Sequence, residues 1–121
     1  VTTEITETPA ENGVSVRRRN YMKALSLAEQ IMSETGLLPT NFDVKVPAFA
    51  PNEPELRFYF HRDVAGLRQF RDGQMLTESM ETREDGSVYI EATREISGVH
   101  VEAWTLFPAD ASAEAAEAVS A

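Results

Sequence analysis

The chain has 121 residues, 42% of them hydrophobic, with no cysteine, two histidines and a formal net charge of −9. That length and apolar content suffice for a core without metal or disulfide staples, and the missing cysteines exclude a disulfide framework, thiol catalysis and thiolate metal sites. No apolar run reaches the length of a membrane span, and residues 1–20 are polar rather than charged-then-apolar, so a cytoplasmic protein without membrane contact is expected.

Residues 1–14, opening "VTTEITETPAEN", mix Thr, Glu and Pro without a period and read as a flexible tail. Residues 109–121, ending "DASAEAAEAVSA", read as a disordered Ala/Glu-rich tail. Neither holds enough apolar side chain to offset chain entropy, which leaves residues 15–108 as a single domain. From Ser15 to Thr35 the apolar residues Tyr21, Leu25, Ala28 and Met32, with Ala24 and Ile31 beside them, make one stripe on a helix. Gly36, Leu37 and Pro39 supply its stop. Arg17, Arg18 and Arg19 oppose the helix dipole if they occupy the first turn, so the start is placed at Ser15 or, after a basic arm, near Asn20.

In "FDVKVPAF" Phe42, Val44, Val46 and Ala48 alternate with Asp43, Lys45 and Pro47, and the proline, which cannot donate to a ladder, predicts an edge strand. "PNEP" at 51–54 connects it to a second strand at 55–61, where Leu56, Phe58 and Phe60 alternate with Arg57, Tyr59 and His61. The tripeptide His61-Arg62-Asp63 is spelled as in a protein-kinase catalytic loop, but the metal-holding Asn required five positions after the Asp is Arg68 here, and no glycine-rich phosphate loop is present. Asp63 is better read as the cap of a short helix over Val64–Arg71, with Val64, Leu67 and Phe70 inward and Gly73 as its stop.

The remainder predicts a three-stranded meander whose register is derivable. A two-residue Ser97-Gly98 turn pairs Ile96 with Val99, Arg94 with Val101, Ala92 with Ala103, Ile90 with Thr105 and Val88 with Phe107, which makes one face apolar. For the preceding hairpin, a three-residue Glu84-Asp85-Gly86 loop with Gly86 left-handed sets Met80 beside Ile90 and Thr82 beside Val88, though it leaves Glu78 near Ala92. The expected fold class is α+β, with elements in the order α-β-β-α-β-β-β and the long N-terminal helix packed on one face of a mainly antiparallel sheet.

The opposite face then gathers Tyr89, Glu91, Thr93 and Glu95 with His100, Glu102, Trp104 and Leu106, placing Glu95 across from His100 and Glu91 across from Trp104. Arg57, Tyr59 and His61 join it if the earlier strands share the sheet. One reading has the second helix or an ordered tail cover Trp104, Leu106 and Tyr89 as a minor core. Another leaves the face open as a protein-binding surface, with Trp104, Tyr89 and Tyr59 as anchors, Glu91, Glu95 and Glu102 supplying charge, and His100 among them. A third is a small enzyme whose acid/base pair is His100 with Glu95. Two histidines without a closely spaced ligand motif do not make a transition-metal site, and no cofactor-binding pattern is present.

Residues 1–20 balance Glu4, Glu7 and Glu11 against the three arginines, so most of the −9 lies on the body. Phosphate is repelled by such a surface, which argues against direct nucleic-acid binding and for a basic protein partner, including one that itself binds nucleic acid. The arginine run reads as a solvated arm. Closure of the same face as a homodimer is the other way to cover it.

The Val1 start, the Ala/Glu/Arg-rich composition and the segment "DGSVYIEATREISGVHVEAWTLFP" resemble small uncharacterised α+β proteins of actinobacteria, their phages and mobile elements. The likeness covers roughly residues 20–108 and carries over no functional residue. It implies an accessory, non-enzymatic binding protein.

Overall fold

The elements follow one another as α1 (Pro9–Glu34), β1 (Asn41–Lys45), β2 (Glu55–Tyr59), α2 (Val64–Gln74), β3 (Thr77–Thr82), β4 (Val88–Ile96) and β5 (Val99–Phe107). This computed structural model describes residues 9–109, with side chains from residue 13 onward. The expected C-terminal tail from residue 110, and residues 1–8 of the expected N-terminal tail, lie outside the described residues. The five strands form one sheet in the order β1-β2-β5-β4-β3. Every neighbouring pair is antiparallel except β2 with β5 at the centre, which is parallel.

The fold class is the expected α+β arrangement, and the meander has the derived register. Ser97 (φ 53°) and Gly98 (φ 82°) both adopt positive φ, as a two-residue hairpin turn requires, and Ile96 pairs with Val99 and Ile90 with Thr105. Gly86 (φ 89°) takes the left-handed position of the other hairpin, so Met80 pairs with Ile90 and Thr82 with Val88. β1 pairs only with β2 and is an edge, ending before Pro47.

Three local features differ from the sequence expectation. First, α1 begins at Pro9 rather than at Ser15 or Asn20. Proline suits a first helical position, and Arg17–Arg19 thereby sit beyond the second turn, where the dipole no longer penalises them. Arg17 Nε donates to the Val46 carbonyl at 2.6 Å and Asn20 Nδ2 to the Pro51 carbonyl at 2.6 Å, which ties this helix to the β1–β2 connection. Second, the buried stripe is Ala24, Leu27, Ala28 and Ile31, while Leu25 is exposed. Two alanines at the contact let the helix lie close to the sheet. Third, α2 continues through Gly73 and stops at Met75, whose φ of 60° makes it the left-handed residue. Leu76 N donates to Arg71 O at 2.9 Å and Met75 N to Asp72 O at 3.3 Å, and buried Leu76 supplies the apolar contact of this helix end. At its start, Asp63 caps as expected, accepting from Gly66 N at 2.9 Å.

Both helices cover the same face. β3 runs parallel to β2 from the far edge of the sheet, so the chain must cross over β5 and β4 between them, and Val64, Leu67 and Phe70 carry α2 over the apolar side. Phe58, Phe60, Phe70 and Phe107 are fully buried there, with Phe70 4.9 Å from Phe58 and 5.4 Å from Phe60 between ring centroids. Truncating any of them costs about 3–5 kcal/mol. Glu78 does fall opposite Ala92 on this apolar side, and α2 accommodates it. Arg68 grips both carboxylate oxygens at 3.2 and 3.0 Å, and Arg71 Nη1 adds a 2.6 Å contact. The Arg68 hydrogen bonds, ahead of Arg71, hold this carboxyl below the ordinary glutamate range.

Two substitutions test this packing. Thr105 is wholly buried with no hydrogen-bond partner for Oγ1 among the described residues, so Thr105→Val should raise stability by about 1 kcal/mol, read as a higher unfolding temperature. Met75→Gly should add about 0.5–1 kcal/mol by relieving the left-handed strain, and a loss in chemical denaturation would contradict that assignment.

Candidate functional site

The register sets three ranks across the face opposite the helices. Tyr59 of β2 lies beside Trp104 of β5, which lies opposite Glu91 of β4; Arg57, Glu102 and Thr93 form the next rank; Glu55, His100 and Glu95 form the third. Alternation requires this, because each of these residues neighbours one whose side chain is in the core. α2 does not cover the face, as one reading expected, since it is spent on the other side. Among the described residues no element packs over it.

Trp104, the chain's only tryptophan, is the centre of the cluster. Tyr59 stacks on it at 4.4 Å, Tyr89 flanks it at 6.0 Å, and the Arg57 guanidinium lies 4.9 Å from its ring. An indole between two aromatic rings and a cation is held in one orientation while remaining half-exposed. Arg83 extends the row, with its guanidinium 4.9 Å from the Tyr89 ring. At the other end the Tyr59 hydroxyl is 2.7 Å from His61 Nδ1.

Beneath the row runs a polar chain. Glu102 Oε2 accepts from Arg57 Nε at 3.1 Å and Nη2 at 2.9 Å, and the Tyr89 hydroxyl shares its proton between Glu102 at 3.0 Å and Glu91 at 2.9 Å. Glu102 is therefore already engaged within the chain. Its side chain is only 13% exposed and serves as the internal counter-ion that fixes Arg57 under the indole. Burial by itself lowers the Arg57 pKa, but the hydrogen bond and charge of Glu102 outweigh it and the net shift is upward. Burial pushes the Tyr89 phenol up, and the Glu91 and Glu102 carboxylates push the same way.

His100 and Glu95 do meet, with Nδ1 2.7 Å from Oε2. They line a cavity of about 430 Å³ with Asn52, Glu53, Pro54, Glu55 and Gly98 at the end of the face. Sequence reasoning missed this cavity because its wall comes from the 51–54 connection, which the parallel β2–β5 pairing brings against the β4–β5 turn. Carboxylates outnumber cations on the face: Asp43, Glu55, Glu81, Glu91, Glu95 and Glu102 project from the strands, against Lys45 and Arg57 of the strands and Arg83 beside Tyr89. No group of three His, Cys, Asp or Glu side chains among the described residues is placed to hold a metal ion. No helix there is long and apolar enough to cross a membrane. The arginine run is separate: Arg17 and Arg18 line a second cavity of about 250 Å³ with Val14 and Tyr21.

The raised Tyr89 pKa has a direct readout. A group whose folded pKa exceeds its unfolded value near 10.0 contributes stability that is intact below that pH and is lost as pH rises through the folded value. The difference in phenolate absorbance between wild type and Tyr89→Phe should therefore appear well above pH 10, together with a loss of the stability difference; a step at pH 10 would contradict the buried hydrogen-bonded phenol.

Comparison with protein-family models, with curated proteins and with solved structures finds no match to this chain.

Proposed function

We propose that the protein is a non-enzymatic binding module whose open sheet face engages a protein partner. The observation that carries this reading is Trp104, oriented by Tyr59, Tyr89 and Arg57 on a face that no described element covers. Fixed, half-exposed aromatic rings lose little entropy on contact and are the usual energetic centres of interfaces. The surrounding carboxylates suit a partner whose contact surface is basic, including one that otherwise meets nucleic acid. Glu53, Glu55 and Glu95 would receive a lysine or arginine side chain in the cavity beside the aromatic row.

A second reading attaches to the same cavity: His100, oriented by Glu95, as the acid/base group of a small enzyme. Its support is the 2.7 Å contact in a concave site. Against it, the His100 and Glu95 side chains are 39% and 68% exposed, so water is not excluded from the pair.

The deciding experiment is capture from lysate of the native host by the immobilised full chain. Trp104→Ala should abolish capture of the partner while costing about 1–2 kcal/mol of stability through the lost ring contacts. Capture should weaken as salt is raised and should also weaken for Glu95→Gln. A partner retained by Trp104→Ala, or binding indifferent to salt, would remove the support for this surface.

A further inference from the structure

The two edges of the sheet are not equivalent. β1 is followed, one residue on, by Pro47 and has Arg17 of α1 bonded to the Val46 carbonyl just past its end. Both blunt an edge. β3 (Thr77–Thr82) has neither: its sequence TESMET holds no proline, lysine or arginine, and its pairing with β4 runs through without a bulge.

The outward-facing groups of β3 follow from one hydrogen bond. Arg83 N donates to Ser87 O at 2.8 Å, so residue 83 faces β4, and alternation turns the N–H and C=O of Thr82, Met80 and Glu78 away from the sheet. Among the described residues no backbone group pairs with them. Met80 stands in the middle, an apolar side chain 53% exposed at this edge.

We infer that β3 is the interface of a homodimer, pairing antiparallel with β3 of a second copy across a twofold axis through Met80. In that register Met80 faces Met80 of the second copy, and Glu78 faces Thr82. On the opposite face Ser79 meets Glu81, and Thr77 meets Arg83. All three outward-facing residues bond, and no two like charges stand opposite one another. Moving the axis by one residue, a two-residue slip of the strands, centres it on Glu81 in one direction and opposes two carboxylates. Moving the axis the other way centres it on Ser79 and leaves Thr82 without a strand partner. The strand is thus complementary to itself in one register, which is what an isologous contact demands. Glu78 presents no repulsion, being neutralised by Arg68 and Arg71 of its own chain. A twofold axis perpendicular to the strands joins the two five-stranded sheets into one and keeps both Trp104 clusters on the same side.

The test is sedimentation equilibrium of the full chain. Wild type should sediment as a dimer, and Met80→Glu and Met80→Lys should each weaken association by at least about tenfold, because like charges then face each other on the axis. Mixing the two variants should restore a heterodimer. Trp104→Ala should leave association unchanged, which separates this interface from the proposed binding face. Without any substitution, amide exchange at Glu78, Met80 and Thr82 should slow as protein concentration rises. A wild-type chain that stays monomeric up to about 1 mM, a dimer that persists in both charged variants, or a mixture that remains monomeric overturns the proposal. So does capture of a different protein's strand at β3 by a monomeric wild-type chain.

Discussion

The register of the β4–β5 hairpin governs everything else in this protein. Ser97 and Gly98 both at positive φ close a turn whose twist matches the strands and leaves no slack between Ile96 and Val99. A slip by one residue would move Val101, Ala103 and Ile90 to the side now held by Glu102, Trp104 and Glu91. The apolar face would be lost, and with it the surface on which both helices pack. A short stretch of backbone therefore decides which half of two strands is core and which half is surface.

The parallel pairing of β2 with β5 then turns that surface into a site. Arg57 lies beside Glu102 and Tyr59 beside Trp104 because these are register partners in neighbouring strands, not neighbours in sequence. The Arg57–Glu102 contact spans 45 positions of the chain and leaves both charges largely shielded. It acts on the aromatic row by fixing a cation under the indole. The same pairing brings the 51–54 connection against the β4–β5 turn and so creates the acidic cavity.

Covering only one face with both helices leaves the sheet with two unlike features: a face that no described element covers and a β3 edge that no described strand pairs. The face is aromatic at its centre and acidic around it, and the proposed basic partner is chosen to suit that composition. The β3 edge carries Glu78 paired within its own chain, with Glu81 as its other charge, and is complementary to itself in the register centred on Met80. Pairing through β3 would set two aromatic centres on one side of a continuous sheet, so that a partner with two contacts would gain from both.

Periodicity and turn chemistry were enough to place most of the architecture. Alternation at Leu56, Phe58 and Phe60 fixed the inward side of β2, Ser97-Gly98 and Glu84-Asp85-Gly86 set the meander register, and Asp63 marked the start of α2, because each depends on residues close in sequence. The membership of the aromatic face was legible for the same reason. What stayed hidden depended on distant pairings. The end of α2 at Met75 and the shift of the α1 stripe from Leu25 to Leu27 follow from buried Leu76 and from the packed sheet. The role of Glu102 as internal counter-ion needed the β2–β5 pairing, and the placement of α2 on the helix face needed the crossover. Local sequence sets which way a side chain points from its own strand; only the assembled sheet decides what stands beside it.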